Sequence, residues 1–163
     1  GHMGLQILLA TTGSRIIGLD TDAEKLAFAE SKGAIAIPSD GEAAGEILEL
    51  TNGIGADVVF DFVGVQPTVN TALSVVRNGG AIRFVGLGGG SFPYLAGTDP
   101  SLPWGVNIER AYGGTRSEMR QAIALARDGK IGVEVKRYSL DDAVAAFDDL
   151  HHGRVQGRAV LVP

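Results

Sequence analysis

Gly1 and Gly4 stand at the mouth of an amphipathic run, and the apolar run that follows closes on Asp20. Small residues at a helix start let backbone come close to an anionic group, and the free N–H groups there attract it. A carboxylate at the end of the next strand can accept hydrogen bonds from a pair of vicinal hydroxyls, while its charge repels a phosphate. Together these are the closing part of the G-x-G-x-x-G dinucleotide fingerprint, with the acid favouring NAD over NADP. The competing readings are an ordinary helix start for the glycines and a turn starter for Asp20, since Asp20-Thr21-Asp22 is good capping chemistry. The place of Asp20 after a strand tips the balance toward the ribose role.

Other chemistries find little footing. Cysteine is absent, which removes disulfides, thiol nucleophiles and thiolate metal ligands. Catalytic zinc needs three protein ligands and an open position. The histidines are His2, His151 and His152. Neighbouring helical residues point about 100° apart, so His151 and His152 make a poor chelating pair and read as surface residues near a helix end.

Strand-length apolar runs alternate with helix-length amphipathic runs throughout, the pattern of a doubly wound parallel sheet. The spacing predicts a helix over Leu5 to Thr12 with Gly13 as its stop, then a strand from Arg15 to Asp20. Next come a helix over Asp22 to Ser31, a strand over Ala34 to Ile37 and a helix over Gly41 to Thr51. The clearest strand is Ala56 to Gly64, followed by a helix from Gln66 to Arg77, a turn at Asn78-Gly79-Gly80 and a strand from Ala81 to Leu87. Such apolar runs suit parallel strands buried on both faces. Residues 91–104 predict a long loop, either functional or surface slack. Beyond it follow a strand at Ile108 to Tyr112, a helix at Ser117 to Arg127, a strand at Val133 to Tyr138, a helix from Leu140 to His152 and a closing strand at Arg158 to Val162.

The 163 residues suit one domain with one packed core, and 45% hydrophobic content makes that core feasible. The 24 glycines follow no collagen period and fall mainly after apolar runs, where strand and helix ends need them. A net charge of −5 without a basic run argues against nucleic acid. No apolar stretch reaches the roughly 18 to 20 residues that cross a bilayer, and no charged leader precedes a short apolar run. The expectation is a cytoplasmic protein that does not enter membranes.

The order and spacing of several motifs resemble the zinc-dependent medium-chain alcohol dehydrogenases, within the medium-chain dehydrogenase/reductase superfamily. They are Gly1-His2-Met3-Gly4-Leu5-Gln6, Asp20 with Lys25-Leu26 and Ala29, Lys32-Gly33-Ala34, Gly53-x-Gly55-Ala56-Asp57 and Phe60-Asp61-Phe62-Val63-Gly64. The likeness continues through Leu73, Gly79-Gly80, Val85-Gly86, Gly114-Thr115-Arg116-Ser117-Glu118, Leu125-Ala126, Gly129 and Gly153-Arg154-x-x-Gly157-Arg158-Ala159-Val160-Leu161. It leaves Gly1-His2-Met3 open to two readings, a cloning remnant or native residues inside the fingerprint.

The resemblance implies a Rossmann-type cofactor-binding domain over residues 1–163, truncated at its N-terminus, with residues 133–163 leading back to an absent catalytic domain. It implies that Gly1 and Gly4 face the pyrophosphate, and that Asp20 and Lys25 hold the adenosine ribose. Val63 and Gly64 would line the cleft, Val85, Gly86 and Leu87 would present backbone to the nicotinamide, and Arg158 would reach the pyrophosphate. Each has a structural competitor: a solvated helix face for Lys25, core strand positions for the valines, a surface ion pair for Arg158. Zinc is expected only in the absent domain, which in this family bears a cysteine and histidine site. NAD(H) is the implied partner, and a homodimer or tetramer is implied by edge pairing around Glu109 to Tyr112. Two alternatives stand beside this reading, a non-catalytic fragment that self-associates and a domain of a zinc-free reductase. The central strand of the order 3-2-1-4-5-6 has no counterpart here. The gap it leaves is expected to be filled by the terminal strand Arg158 to Val162 or by a segment swapped from a second copy.

Overall fold

The computed structural model describes residues 1–95 and 102–163. In chain order the elements are α1 (His2–Thr11), β1 (Ile17–Asp20), α2 (Ala23–Ser31), β2 (Ile35–Pro38), α3 (Ala43–Leu50), β3 (Ala56–Asp61), α4 (Gln66–Val75), β4 (Val76–Phe84) and β5 (Asn107–Arg110). They continue with α5 (Arg116–Arg127), β6 (Val135–Ser139), a 3-10 turn (Leu140–Asp142), α6 (Ala143–His151) and β7 (Arg158–Val162). The architecture is α/β of the Rossmann type, and every strand pair is parallel. No helix among the described residues is long and apolar enough to cross a membrane. Contacts divide the chain into two compact units, Ile17–Thr115 and Gly1–Ile16 with Arg116–Pro163.

In the first unit β1 pairs with β2, and β3, β4 and β5 form a second ladder. Asp22 caps α2, accepting the N–H groups of Glu24 and Lys25, and satisfies donors that the first helical turn leaves free. At α3 the stop is Asn52 and Gly53, at φ 54° and 77°, a left-handed pair that turns the chain toward β3. Ile37, Ala43, Ile47 and Val75 form one buried cluster, against which Ile17, Leu19 and Val59 pack. Ala72, Val76 and Ile82 form another, and Val59 packs on it too. Val59 thus ties the two ladders to a common core.

Several predicted boundaries shift for physical reasons. The helix predicted from Leu5 starts earlier, at His2. The strand predicted to run to Gly64 ends at Asp61, and the one predicted to run to Leu87 ends at Phe84. In both, backbone amides leave the ladder for Asp61. Helix α4 stops at Val75, and the predicted turn at Asn78-Gly79-Gly80 is a bulge in β4, where pairing passes from Ala56 and Val76 to Val58 and Ala81. Part of the predicted loop at 91–104, residues 96–101, lies outside the described residues. Although β3 is apolar, Val58 and Phe60 are 47% and 40% exposed, so burial on both faces does not hold for this strand.

The terminal strand does not fill the gap beside β1 and β3. Instead β7 pairs with β6, from Val135 with Arg158 to Ser139 with Val162. The reason is local: β6, α6 and β7 are consecutive, so a β-α-β crossover closes with little loop entropy and covers Ala146. Among the described residues, β1 pairs only with β2 and β3 only with β4, which leaves one edge of each unpaired.

Candidate dinucleotide site

The first unit offers a backbone platform where β3 and β4 end side by side. Asp61 is 5% exposed and its carbonyl accepts the N–H groups of Val85 at 2.8 Å and Gly86 at 3.0 Å. Beyond it Gly88 donates to the Val63 carbonyl at 3.0 Å and Gly90 to the Gly64 carbonyl at 2.8 Å. Two chain segments run in contact with no side chain between them. Gly64 has φ +73°, and a Cβ there would stand 2.6 Å from the Gly86 carbonyl oxygen. At Gly86 a Cβ would overlap the backbone of Val63 outright. Close approach therefore explains both glycines before any ligand is considered.

Val63, Val85 and Leu87 are 54%, 40% and 81% exposed at this platform, too open for the core role that competed for the valines. Neither the carbonyl of Val85 nor the N–H of Leu87 has a hydrogen-bond partner among the described residues. An acceptor and a donor two residues apart on exposed backbone are the groups that a carboxamide needs.

At the end of β1, Asp20 accepts the N–H of Asp22 at 3.1 Å and lies 3.6 Å from the Lys25 ammonium, both through Oδ1. Oδ2 carries no protein partner among the described residues. The cap of α2 is Asp22, and Asp20, by accepting the Asp22 N–H, also starts the turn into that helix, so the turn-starter reading of Asp20 holds beside its free oxygen. Lys25 is exposed, and its ammonium leans on Asp20.

In the second unit Gly1 is the residue before α1 and Gly4 lies in its first turn. Arg158 is exposed and, among the described residues, pairs with no carboxylate; its guanidinium touches only the Gly157 carbonyl, at 3.4 Å. It lies close enough to His2 in the first turn of α1 to act on its charge. Burial foremost, then Arg158 and the N-terminal amine, push the His2 imidazole below its ordinary value, and Glu134 opposes them. A cation and a helix start thus share one neighbourhood in this unit, the pairing that attracts an anion.

Sequence reasoning missed the residues that build the platform. The Asp61 carboxylate accepts the amides of Val63 and Gly64, each at 2.8 Å, and the Thr68 hydroxyl at 2.8 Å. Gln66 exchanges hydrogen bonds with the backbone of Ser91, at 2.8 and 3.0 Å, and so fixes the strand exit to the start of α4. An acid followed by Phe-Val-Gly at a strand end is an Asx-turn signal, and it was the available clue. His151 and His152 lie at the end of α6, edge to face at 5.3 Å, with His152 on Asp148. Among the described residues no three His, Asp or Glu side chains gather to hold a metal.

Residues 1–128 match the family described as zinc-binding dehydrogenase. An NAD-dependent alcohol dehydrogenase of Sulfolobus acidocaldarius is 34% identical over 99% of the chain and 46% of its own length. A D-arabinose 1-dehydrogenase (NADP(+)) of Saccharolobus solfataricus is 30% identical over 98% of the chain and 45% of its own length. Among solved structures, the alcohol dehydrogenase of the archaeon Aeropyrum pernix superposes with a TM-score of 0.89 at 34% identity, covering 100% of the chain and 47% of that protein. A quinone oxidoreductase of Pseudomonas syringae gives 0.81 at 26% identity, covering 100% of the chain and 53% of that protein. The chain spans about half the length of the curated relatives that it matches.

Proposed function

Since the chain belongs to the zinc-binding dehydrogenase family, we propose that it is the NAD(H)-binding part of an alcohol dehydrogenase-like oxidoreductase, with the alcohol and zinc groups in the part of the relatives it does not match. The observation that carries this reading is the bare platform at Val63-Gly64 and Val85-Gly86-Leu87, with an unmet acceptor and donor on exposed backbone. Bound there, NAD would supply the hydride-accepting chemistry. The chain's own work is to bind and orient. The Val85 carbonyl and Leu87 amide would hold a carboxamide, and Gly64 and Gly86 would admit the ring close to backbone.

Asp20 supports NAD over NADP, because its free oxygen would accept from a ribose hydroxyl and its charge would repel a 2′-phosphate. Gly1, Gly4 and Arg158 would serve the pyrophosphate. Calorimetric titration with NADH, NADPH and AMP tests the reading. Saturable NADH binding that is tighter than NADPH binding supports it, and heat of dilution alone defeats it. Turnover of alcohols with NAD by this chain alone would also contradict it.

The second reading is self-association without cofactor binding, and the unpaired edges of β1 and β3 favour it. Sedimentation across a concentration series separates the two. Mass that climbs with concentration and is indifferent to NADH supports association, whereas a fixed dimer or tetramer that binds NADH supports the first reading. Location in the cytoplasm belongs to the same proposal.

A further inference from the structure

Asp61 is one of the buried polar side chains of the described residues, and no cation stands against it. Its oxygens are nonetheless fully employed. Oδ1 accepts both the Val63 and Gly64 amides at 2.8 Å, and Oδ2 accepts the Thr68 hydroxyl at 2.8 Å. Its main-chain carbonyl accepts Val85 and Gly86. One residue therefore holds both backbone segments of the platform, the first through its carboxylate and the second through its carbonyl.

The arrangement is costly unless it does something that cheaper residues cannot. A buried carboxylate is tolerated here because three donors meet its two oxygens and because α4 starts close by, at Gln66. An apolar residue in its place would leave the Val63 and Gly64 amides to find other partners, and the turn would be free to rotate. Gly86 lies in backbone contact with Val63, so rotation there would change the spacing between Val63 and the Val85 to Leu87 segment.

Resting on the cofactor-binding reading above, we propose that Asp61 is a positioning residue for the nicotinamide end of the dinucleotide. It sets the Val63-Gly64 turn against Val85-Gly86-Leu87 so that the Val85 carbonyl and the Leu87 amide are aligned before ligand arrives. The adenosine end, on Asp20, does not depend on it.

The test compares NADH with ADP-ribose, which lacks only the nicotinamide, on the unaltered chain and on Asp61→Ala, Asp61→Asn and Thr68→Val. For Asp61→Ala, NADH affinity is expected to fall about tenfold or more, as for loss of charge-assisted hydrogen bonds, with ADP-ribose affinity kept within about twofold. Asp61→Asn keeps an acceptor for both amides and is expected to restore most NADH binding. Thr68→Val frees one carboxylate oxygen and is expected to show a smaller loss confined to NADH, which decides the matter if the alanine variant does not fold. Equal losses for the two ligands in the folded variants, or no loss for either, would overturn the proposal and leave cofactor binding standing. Failure of the unaltered chain to bind NADH would overturn both.

Discussion

The side-chain amide of Gln6 exchanges two hydrogen bonds with the backbone of Gly132, donating to its carbonyl at 2.9 Å and accepting its N–H at 2.9 Å. Gln6 is 4% exposed in the middle of α1, so this pair fastens the helix to the chain entering β6 within their unit. Gln6→Leu keeps size and apolar fit but removes the partner of both Gly132 groups. Gly132 is exposed and water can reach its groups, so the expected loss is about 0.5 to 1.5 kcal/mol per hydrogen bond, its ordinary net worth. Urea unfolding followed by circular dichroism measures it, and an unchanged midpoint would show that water replaces the glutamine.

Close packing at the platform makes an opposite pair of glycine predictions. Gly86→Ala drives a methyl into the Val63 backbone, whereas a methyl at Gly45, inside α3, meets nothing within 4 Å. Gly86→Ala should cost about 1 to 3 kcal/mol as an overpacking change, and Gly45→Ala should stabilise by about 0.5 to 1 kcal/mol as a helix substitution. Thermal melts of the two variants side by side check the sign.

These two cases show where the sequence speaks and where it does not. Alternation of apolar runs placed every strand and helix in order, because periodicity reports the backbone and the face it buries. The same pattern set Val63-Gly64 and Val85-Gly86 at strand ends, while a cofactor role for them followed only from the family resemblance. Gln6 and Asp61, the two polar side chains buried here, were missed. Gln6 is defined by a donor and an acceptor on a distant segment, of which a linear pattern holds no trace, whereas Asp61 bonds to nearby Val63, Gly64 and Thr68 through a turn that its place at a strand end signals. The strand edges were misjudged differently. The closing strand was expected beside β1 or β3, yet a consecutive β-α-β crossover gave β7 a nearer partner in β6.

Cofactor selectivity should turn on Asp20. Its Oδ2 is free of protein partners among the described residues and its Oδ1 is shared with Asp22 and Lys25. Replacing the acid by serine removes both the hydrogen-bond acceptor strength and the repulsion of a 2′-phosphate, while leaving Lys25 as an unopposed cation. The ratio of NADPH to NADH affinity for Asp20→Ser is expected to rise about tenfold or more, the worth of a charged hydrogen bond. Parallel titrations give the ratio directly, and a ratio that stays fixed would mean that the β1 end does not meet the ribose.

Acid should loosen the unit that holds β6, α6 and β7, through Asp149. This carboxylate accepts the Lys136 ammonium at 2.8 Å, the Arg154 guanidinium at 2.8 Å and the Tyr138 hydroxyl at 2.8 Å. Those bonds, Lys136 first, hold its pKa well below the usual carboxylate range. A depressed value in the folded chain means that the unfolded chain takes up the proton first. The contribution is therefore whole above the ordinary carboxylate value of about 3.9 and is lost as pH falls from there toward the folded value. Asp149→Asn should consequently be less stable than the unaltered chain at neutral pH, with the difference shrinking as pH drops below about 5. Other carboxylates titrate in the same range, so the informative quantity is the difference between the two proteins rather than either curve. Melting temperatures measured in pairs from neutral to acid supply it. A difference that stays constant over the whole range would mean that the three donors of Asp149 hold it no better folded than unfolded.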